Sequence, residues 1–355
     1  MLWLGIVCIS FISTCFQRLE RLTGLMSFLG LGYLAGTPNL VYDRDAFVYM
    51  QNYIYGTDYF ESGYNWLTKL FEPRMDYQTF RLYSSLIVFL LMFLAIFLMT
   101  KHVSAVALFY AIGIFPVDKL QVRNCMGAVF ILFGAFMLIQ FRKKGVLPSL
   151  LVIFAGSFFH SLALYFLLLP VVWFFKDFVE KHFSIIISSL VVTAFVFEIL
   201  GSTNLTPVLV QLLGRFGNRA NVAENVSTVY SGGGLTFVQW FVFCAITIFA
   251  VMAVQLFKRF CHEDMKPYYQ IALCALVLWA AALTLMTLSI DYIRVLRIVA
   301  FFYFIYIANV MLNQKGNIRF SGIVVGVVSA IVLMLVGFWS YGFTADQIRS
   351  IFGFI

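Results

Sequence analysis

Long apolar runs separated by short polar breaks dominate the chain, and that pattern predicts membrane-spanning helices. A bilayer core of about 30 Å takes roughly 20 apolar residues per helix. Candidate runs lie near 2–16, 22–38, 82–100, 103–117, 125–141, 146–160, 162–175, 183–200, 236–257, 269–289, 298–312 and 321–341. Several are short, as tilted neighbours or half-spanning segments are, so the count of twelve carries a margin of two. The expected fold is an all-α polytopic integral membrane protein, with residues 1–355 forming one transmembrane domain and two long outer loops, 39–81 and 201–235. Only Met1 precedes the first run, so no charged n-region and no removable signal peptide are expected. Neither an internal repeat nor a low-complexity tract interrupts the pattern.

Composition narrows the class. The 355 residues are 62% hydrophobic and 11% charged, against about 25% charged in an ordinary soluble domain. A disordered chain, a DNA-binding domain and a cytosolic enzyme are excluded, and the net charge of +8 reads as orientation, not as a nucleic-acid surface. The breaks at 17–21, 101–102, 142–145, 176–182, 258–266 and 313–319 are compact and basic, and therefore cytoplasmic. They hold 13 Lys and Arg against 5 acids. The outer breaks, with both termini and Glu198, hold 11 of each.

The outer set is nearly all arginine: Arg44, Arg74, Arg81, Arg123, Arg215, Arg219, Arg294, Arg297 and Arg349, with only Lys69 and Lys119 as lysines. Orientation accepts lysine freely, whereas a permanently charged guanidinium fork suits phosphate or carboxylate. Arg215/Arg219 and Arg294/Arg297 have helical spacing. Arg123 stands at the mouth of an apolar run, where a lone charge is costly. Anion recognition competes with pairing to the outer acids, for example Asp291 with Arg294.

His102, His182 and His262 sit in basic breaks, where solvated structural roles are the default, whereas His160 stands alone at the outer end of its run and is a candidate for proton transfer. The RKKG turn makes runs 125–141 and 146–160 antiparallel neighbours, which places Arg123 and His160 at similar depth. Loop 39–81 mixes aromatic residues with carboxylates and amides, suited either to sugar rings or to a headgroup-level segment. Glycines in SGGGL of the second loop fit a flap or a linker. The six cysteines read as small buried hydrophobes, not bridges. No CxxC, HExxH, Walker or GxGxxG pattern occurs, so no metal, nucleotide or other cofactor is expected.

The order of Asp45, Tyr49, Glu61, Gly63, Tyr64 and Leu67, then VRNCMGAVF around Arg123, then FFHSLAL around His160, resembles the EpsG branch of Wzy-type bacterial polysaccharide (O-antigen, capsule or exopolysaccharide) polymerases. It covers roughly the first half of the chain; the second half agrees in outline. The resemblance implies a GT-C-like architecture and glycosyl transfer at the outer face of a bacterial inner membrane. The donor and acceptor would be undecaprenyl-diphosphate-linked glycans, with neither nucleotide sugar nor metal, and with room for a chain-length regulator as partner. In that reading Arg123, Arg294 and Arg297, with Arg215 and Arg219, hold the diphosphate, and His160 is the base, with Glu61 or Asp45 as alternatives. Tyr49, Tyr64 and Trp66 bind glycan.

Three rival readings remain at this level. A flippase for the same lipids would call for repeat symmetry and midplane charges. A membrane O-acyltransferase would place its histidine within reach of a cytoplasmic acyl donor. A transferase using a lipid-phosphate sugar shares the arginines and the outer location.

Overall fold

The computed structural model describes residues 1–200, 236–287 and 289–352. Its helices are α1 (Leu2–Phe16), α2 (Glu20–Gly36), α3 (Arg44–Tyr55), α4 (Ser62–Phe71), α5 (Tyr77–Met99), α6 (Val103–Gly113), α7 (Phe115–Asp118), α8 (Val122–Phe141) and α9 (Val146–Gly156). They continue as α10 (Leu162–Tyr165), α11 (Leu168–Phe174), α12 (Lys176–Leu200), α13 (Phe237–Phe257), α14 (Lys266–Met286), α15 (Ile293–Val310), α16 (Gly316–Tyr341) and α17 (Ala345–Phe352). No strand occurs among the described residues. In hydrocarbon every backbone polar group must be satisfied within the chain, and helices do this locally.

Among the described residues, seven stretches are long and apolar enough to cross a membrane, against the twelve runs read from the sequence. The runs at 2–16, 103–117 and 162–175 give shorter apolar helices. Runs 125–141 and 146–160 belong to one apolar stretch that folds back at Arg142, whose φ is 56°. Gly134 then faces Ser149 and Ile153, as an antiparallel hairpin requires.

Burial separates centre from rim. Beyond Arg294 and Arg297 at its start, helix α15 is almost wholly apolar and buried, and α6 is likewise enclosed, the signature of core helices. By contrast α12 exposes apolar side chains such as Ile185, Val192 and Ile199, as a lipid-facing helix does. Around the centre, α2 packs on α5 and α6, α8 on α5 and α9, and α15 on α14.

Polar contacts between breaks stay within the two sets. At one end His102 meets Glu20 and Asn313, Gln17 meets Leu312 and Arg319, and Lys258 meets Glu180. At the other end Glu61 meets Ser161, Arg297 meets Asp118, and Lys119 meets Ser350 and Ile351. The alternation of breaks along the chain therefore corresponds to two ends of one helical bundle.

Two expectations change. Segment 39–81 is not an open loop: it holds α3, α4 and the first turn of α5, with Asp43 and Asp76 as side-chain N-caps accepting from Ala46 and Thr79. His102 is not a solvated residue of its break. It is buried, bonded to Glu20 at 2.7 Å and to Asn313 at 3.1 Å, because three breaks converge there.

Candidate functional site

The end of the bundle that carries the arginines is roofed by α3 and α4. Their inward faces are aromatic: Tyr49, Phe60 and Tyr64 pack mutually at 5.1–5.9 Å between ring centroids, with Tyr53 and Phe80 extending the cluster. Gly63 brings α4 down onto the turn after α9. Its N–H donates to the Phe158 carbonyl at 2.8 Å, and a Cβ on it would lie 2.7 Å from that oxygen. Only glycine permits that approach.

This approach delivers Glu61 to Arg123. Arg123 opens α8 and is 8% exposed. It pairs with the Glu61 carboxylate through Nη1 and lies over the rings of Phe60 (3.8 Å), Tyr49 (5.4 Å) and Tyr64 (5.7 Å). The aromatic cage holds the cation by its quadrupoles. Glu61 Oε1 also accepts the backbone N–H of Ser161 at 3.1 Å. One turn on from Arg123, Gly127 faces the His160 side chain, with its Cβ position 3.0 Å from the His160 Cβ. Buried Glu61, Arg123 and His160 thus meet from three separate stretches, with the exposed Ser161 closing the turn beside them.

The state of His160 follows from its contacts. Its Nδ1 accepts the Leu162 backbone N–H at 3.1 Å, which in the neutral ring puts the proton on Nε2.

A second constellation surrounds Arg297 of α15. Nη1 meets Asp118 at 2.6 Å and Nη2 meets Gln121 at 2.5 Å. Asp118 is 1% exposed and also accepts from Tyr110 (3.3 Å) and Asn124 (3.2 Å). Gln121 and Asn124 flank Arg123 in sequence, so the start of α8 serves both arginines.

A third buried arginine, Arg81 of α5, donates from Nε to Ala35 O and from Nη2 to Lys119 O, both at 3.0 Å. It lies 5.4 Å from the Tyr49 ring, the same distance as Arg123, so Tyr49 contacts two guanidinium groups. Lys119 donates to the carbonyls of Ser350 (3.2 Å) and Ile351 (3.0 Å), pinning α17. Burial pushes its ammonium down to about 8 and pushes the Asp43 carboxyl up to about 6, against the opposing pull of Arg81.

The sequence reading left Arg81, Asp118, Gln121 and Asp43 out of the site. For Arg81 and Asp118 the signal was present: each is a charge beside an apolar run, the argument used for Arg123. Other expected residues lie elsewhere in the end. Arg294 pairs with Asp291 at 2.8 Å, the local pairing its spacing allows, and Arg349 pairs with Asp346. Asp45 lies one helical turn before Tyr49, half-buried. Tyr49 and Tyr64 are buried against Arg123, whereas Trp66 is 61% exposed on the opposite side of α4. Arg215, Arg219 and loop 201–235 lie outside the described residues.

A family model described as EpsG family matches residues 21–349. The chain belongs to the EpsG family. The match runs through both halves, so Arg294 and Arg297 fall within it along with the more recognisable first half. No curated protein and no solved structure matches the chain. EpsG membership and the apolar helices make this a membrane protein of polysaccharide biosynthesis, with a polymerase role of the glycosyltransferase type.

Proposed function

We propose that this EpsG-family protein joins undecaprenyl-diphosphate-linked repeat units at the outer face of a bacterial inner membrane, in a GT-C-like bundle of about twelve spans with both termini outside. The carrying observation is the meeting of buried Glu61, Arg123 and His160 at the turn that continues into Ser161, with a second buried arginine, Arg297, held at the start of the same α8. Transfer from a lipid diphosphate needs cationic donors where charge builds on the leaving group, a base for the acceptor hydroxyl, and an enclosed setting that strengthens both. Arg123 and Arg297 supply the donors, with Arg294, Arg215 and Arg219 as further candidates for holding the diphosphate. The N–H on His160 Nε2 suits the glycosidic or phosphate oxygen, which leaves Glu61 or Asp45 as base, as carboxylates serve inverting glycosidases. Tyr49 and Tyr64 shape the arginine pocket, and exposed Trp66 offers a stacking face to the acceptor glycan. No cofactor enters this scheme.

Deletion of the gene and complementation with wild type, Arg123→Ala or His160→Ala tests it, with polysaccharide size read on a gel. The expected result is long chains from wild type and persisting single repeats from both variants. Loss of single repeats from the outer face would point to a flippase or an earlier transferase. Normal ladders from both variants would remove the site.

A further inference from the structure

Glu61 occupies two donors that suit a phosphate oxygen equally well: the Arg123 guanidinium and the Ser161 backbone N–H. Arg123 is held on α8 and caged by Phe60, Tyr49 and Tyr64. Glu61 precedes α4 on extended backbone, at φ −62° and ψ 149°, and does not cap its own helix. Of the two partners, the carboxylate is the one whose displacement leaves both helices intact. Arg123 Nε is buried without a hydrogen-bond partner, so the guanidinium retains a donor for an incoming oxygen.

On the reading that the site takes a lipid diphosphate, we propose that Glu61 is an exchangeable latch: the donor's phosphate replaces its carboxylate on Arg123 and Ser161, and the released carboxylate becomes the base. The resting site never holds a buried guanidinium without a counter-charge, the costly state for an ion in low dielectric. The exchange swaps one charge-assisted set of bonds for another, and Arg81, 5.4 Å from the same Tyr49 ring, adds a second cation that favours the more highly charged diphosphate. Freed from the two donors that stabilise its charge, the carboxylate accepts a proton more readily.

The step balances. The acceptor hydroxyl gives its proton to Glu61 as its oxygen forms the bond to the donor's anomeric carbon. The bond from that carbon to the diphosphate oxygen breaks, the lipid diphosphate leaves with the electron pair, and the carboxylic acid returns its proton to water. Donor binding must precede deprotonation of the acceptor, because the base is generated by the exchange.

Inorganic pyrophosphate binding to the purified full chain in nanodiscs tests the latch without requiring polymerisation. Glu61→Gln removes the competing charge and should bind pyrophosphate at least tenfold more tightly than wild type while making no ladder in cells. Arg123→Gln should bind at least tenfold more weakly. Unchanged or weaker binding by a folded Glu61→Gln protein overturns the latch, and a normal ladder from it overturns the base. If Glu61→Gln does not fold, Glu61→Asp shortens the reach and must likewise tighten pyrophosphate binding; unchanged affinity overturns the proposal. A confirmed exchange with no ladder even from wild type would retain the latch and discard the polymerase reading.

Discussion

Glu61 and Arg123 stand 62 positions apart in the chain and form a buried ion pair beneath two aromatic helices. The pair ties the roof of the site, α4, to the bundle beneath it. Its partners on either side, Phe60 and Ser161, connect the same contact to the His160 turn.

Seating of α4 depends on Gly63. Gly63→Ala forces a Cβ to within 2.7 Å of the Phe158 carbonyl, with an overpacking cost of about 1–3 kcal/mol. The variant should lose both thermal stability in detergent and long polymer. Gly56→Ala, at φ +59° with open space around it, should cost about 1–2 kcal/mol and keep its ladder. Equal effects at the two positions would show that the close approach is unimportant.

The Asp118–Arg297 pair should behave as a unit. Arg297→Gln or Asp118→Asn alone leaves a buried charge without its partner, at a cost of about 3–5 kcal/mol. The double variant should cost clearly less than the two singles together, read as thermal midpoints in one detergent. Additive losses would show that the two side chains act independently.

The Asp43 carboxyl, raised by burial to about 6 from a reference of 3.8, gives a pH signature. Between those values the folded chain binds more protons than the unfolded one, so stability falls as pH rises. Asp43's contribution is fully present below 3.8 and lost as pH passes through about 6. At pH 8 the charged form costs about 3 kcal/mol. Asp43→Asn keeps an N-cap oxygen for Ala46 and should therefore melt higher than wild type at pH 8, with the gap closing near pH 4. A gap independent of pH would contradict the assignment.

If His160 acts through the proton on Nε2, a glutamine amide can replace the donor and cannot replace a base. His160→Gln should retain measurable polymer where His160→Ala retains none. His160→Asn restores only the acceptor at the Nδ1 position facing Leu162 N and should behave like alanine. Activity in the asparagine variant alone would move the importance of the ring to the turn it braces.

Much of the fold was legible in the sequence because its signals are local. Apolar length implies helices in lipid, and the alternating breaks anticipated which ends would meet. The RKKG turn brought the segments of Arg123 and His160 together as expected, since a short connection allows little else. Segment 39–81 was harder to read. Its helices are short and amphipathic, and their packing depends on a glycine contact with Phe158 nearly a hundred positions away.

For the site, the sequence by itself determined which residue types its arginine-rich breaks hold: arginine in excess of what orientation needs, with as many acids as Lys and Arg together. Their partners were decided by tertiary structure alone. Arg294 took the acid three residues before it, whereas Arg123 and Arg297 reached Glu61 and Asp118 across 62 and 179 positions. Local spacing allows a pair within one turn. It carries no information about which distant carboxylate a buried guanidinium must find, because that choice follows from helix packing and the cost of leaving either charge alone in a low dielectric.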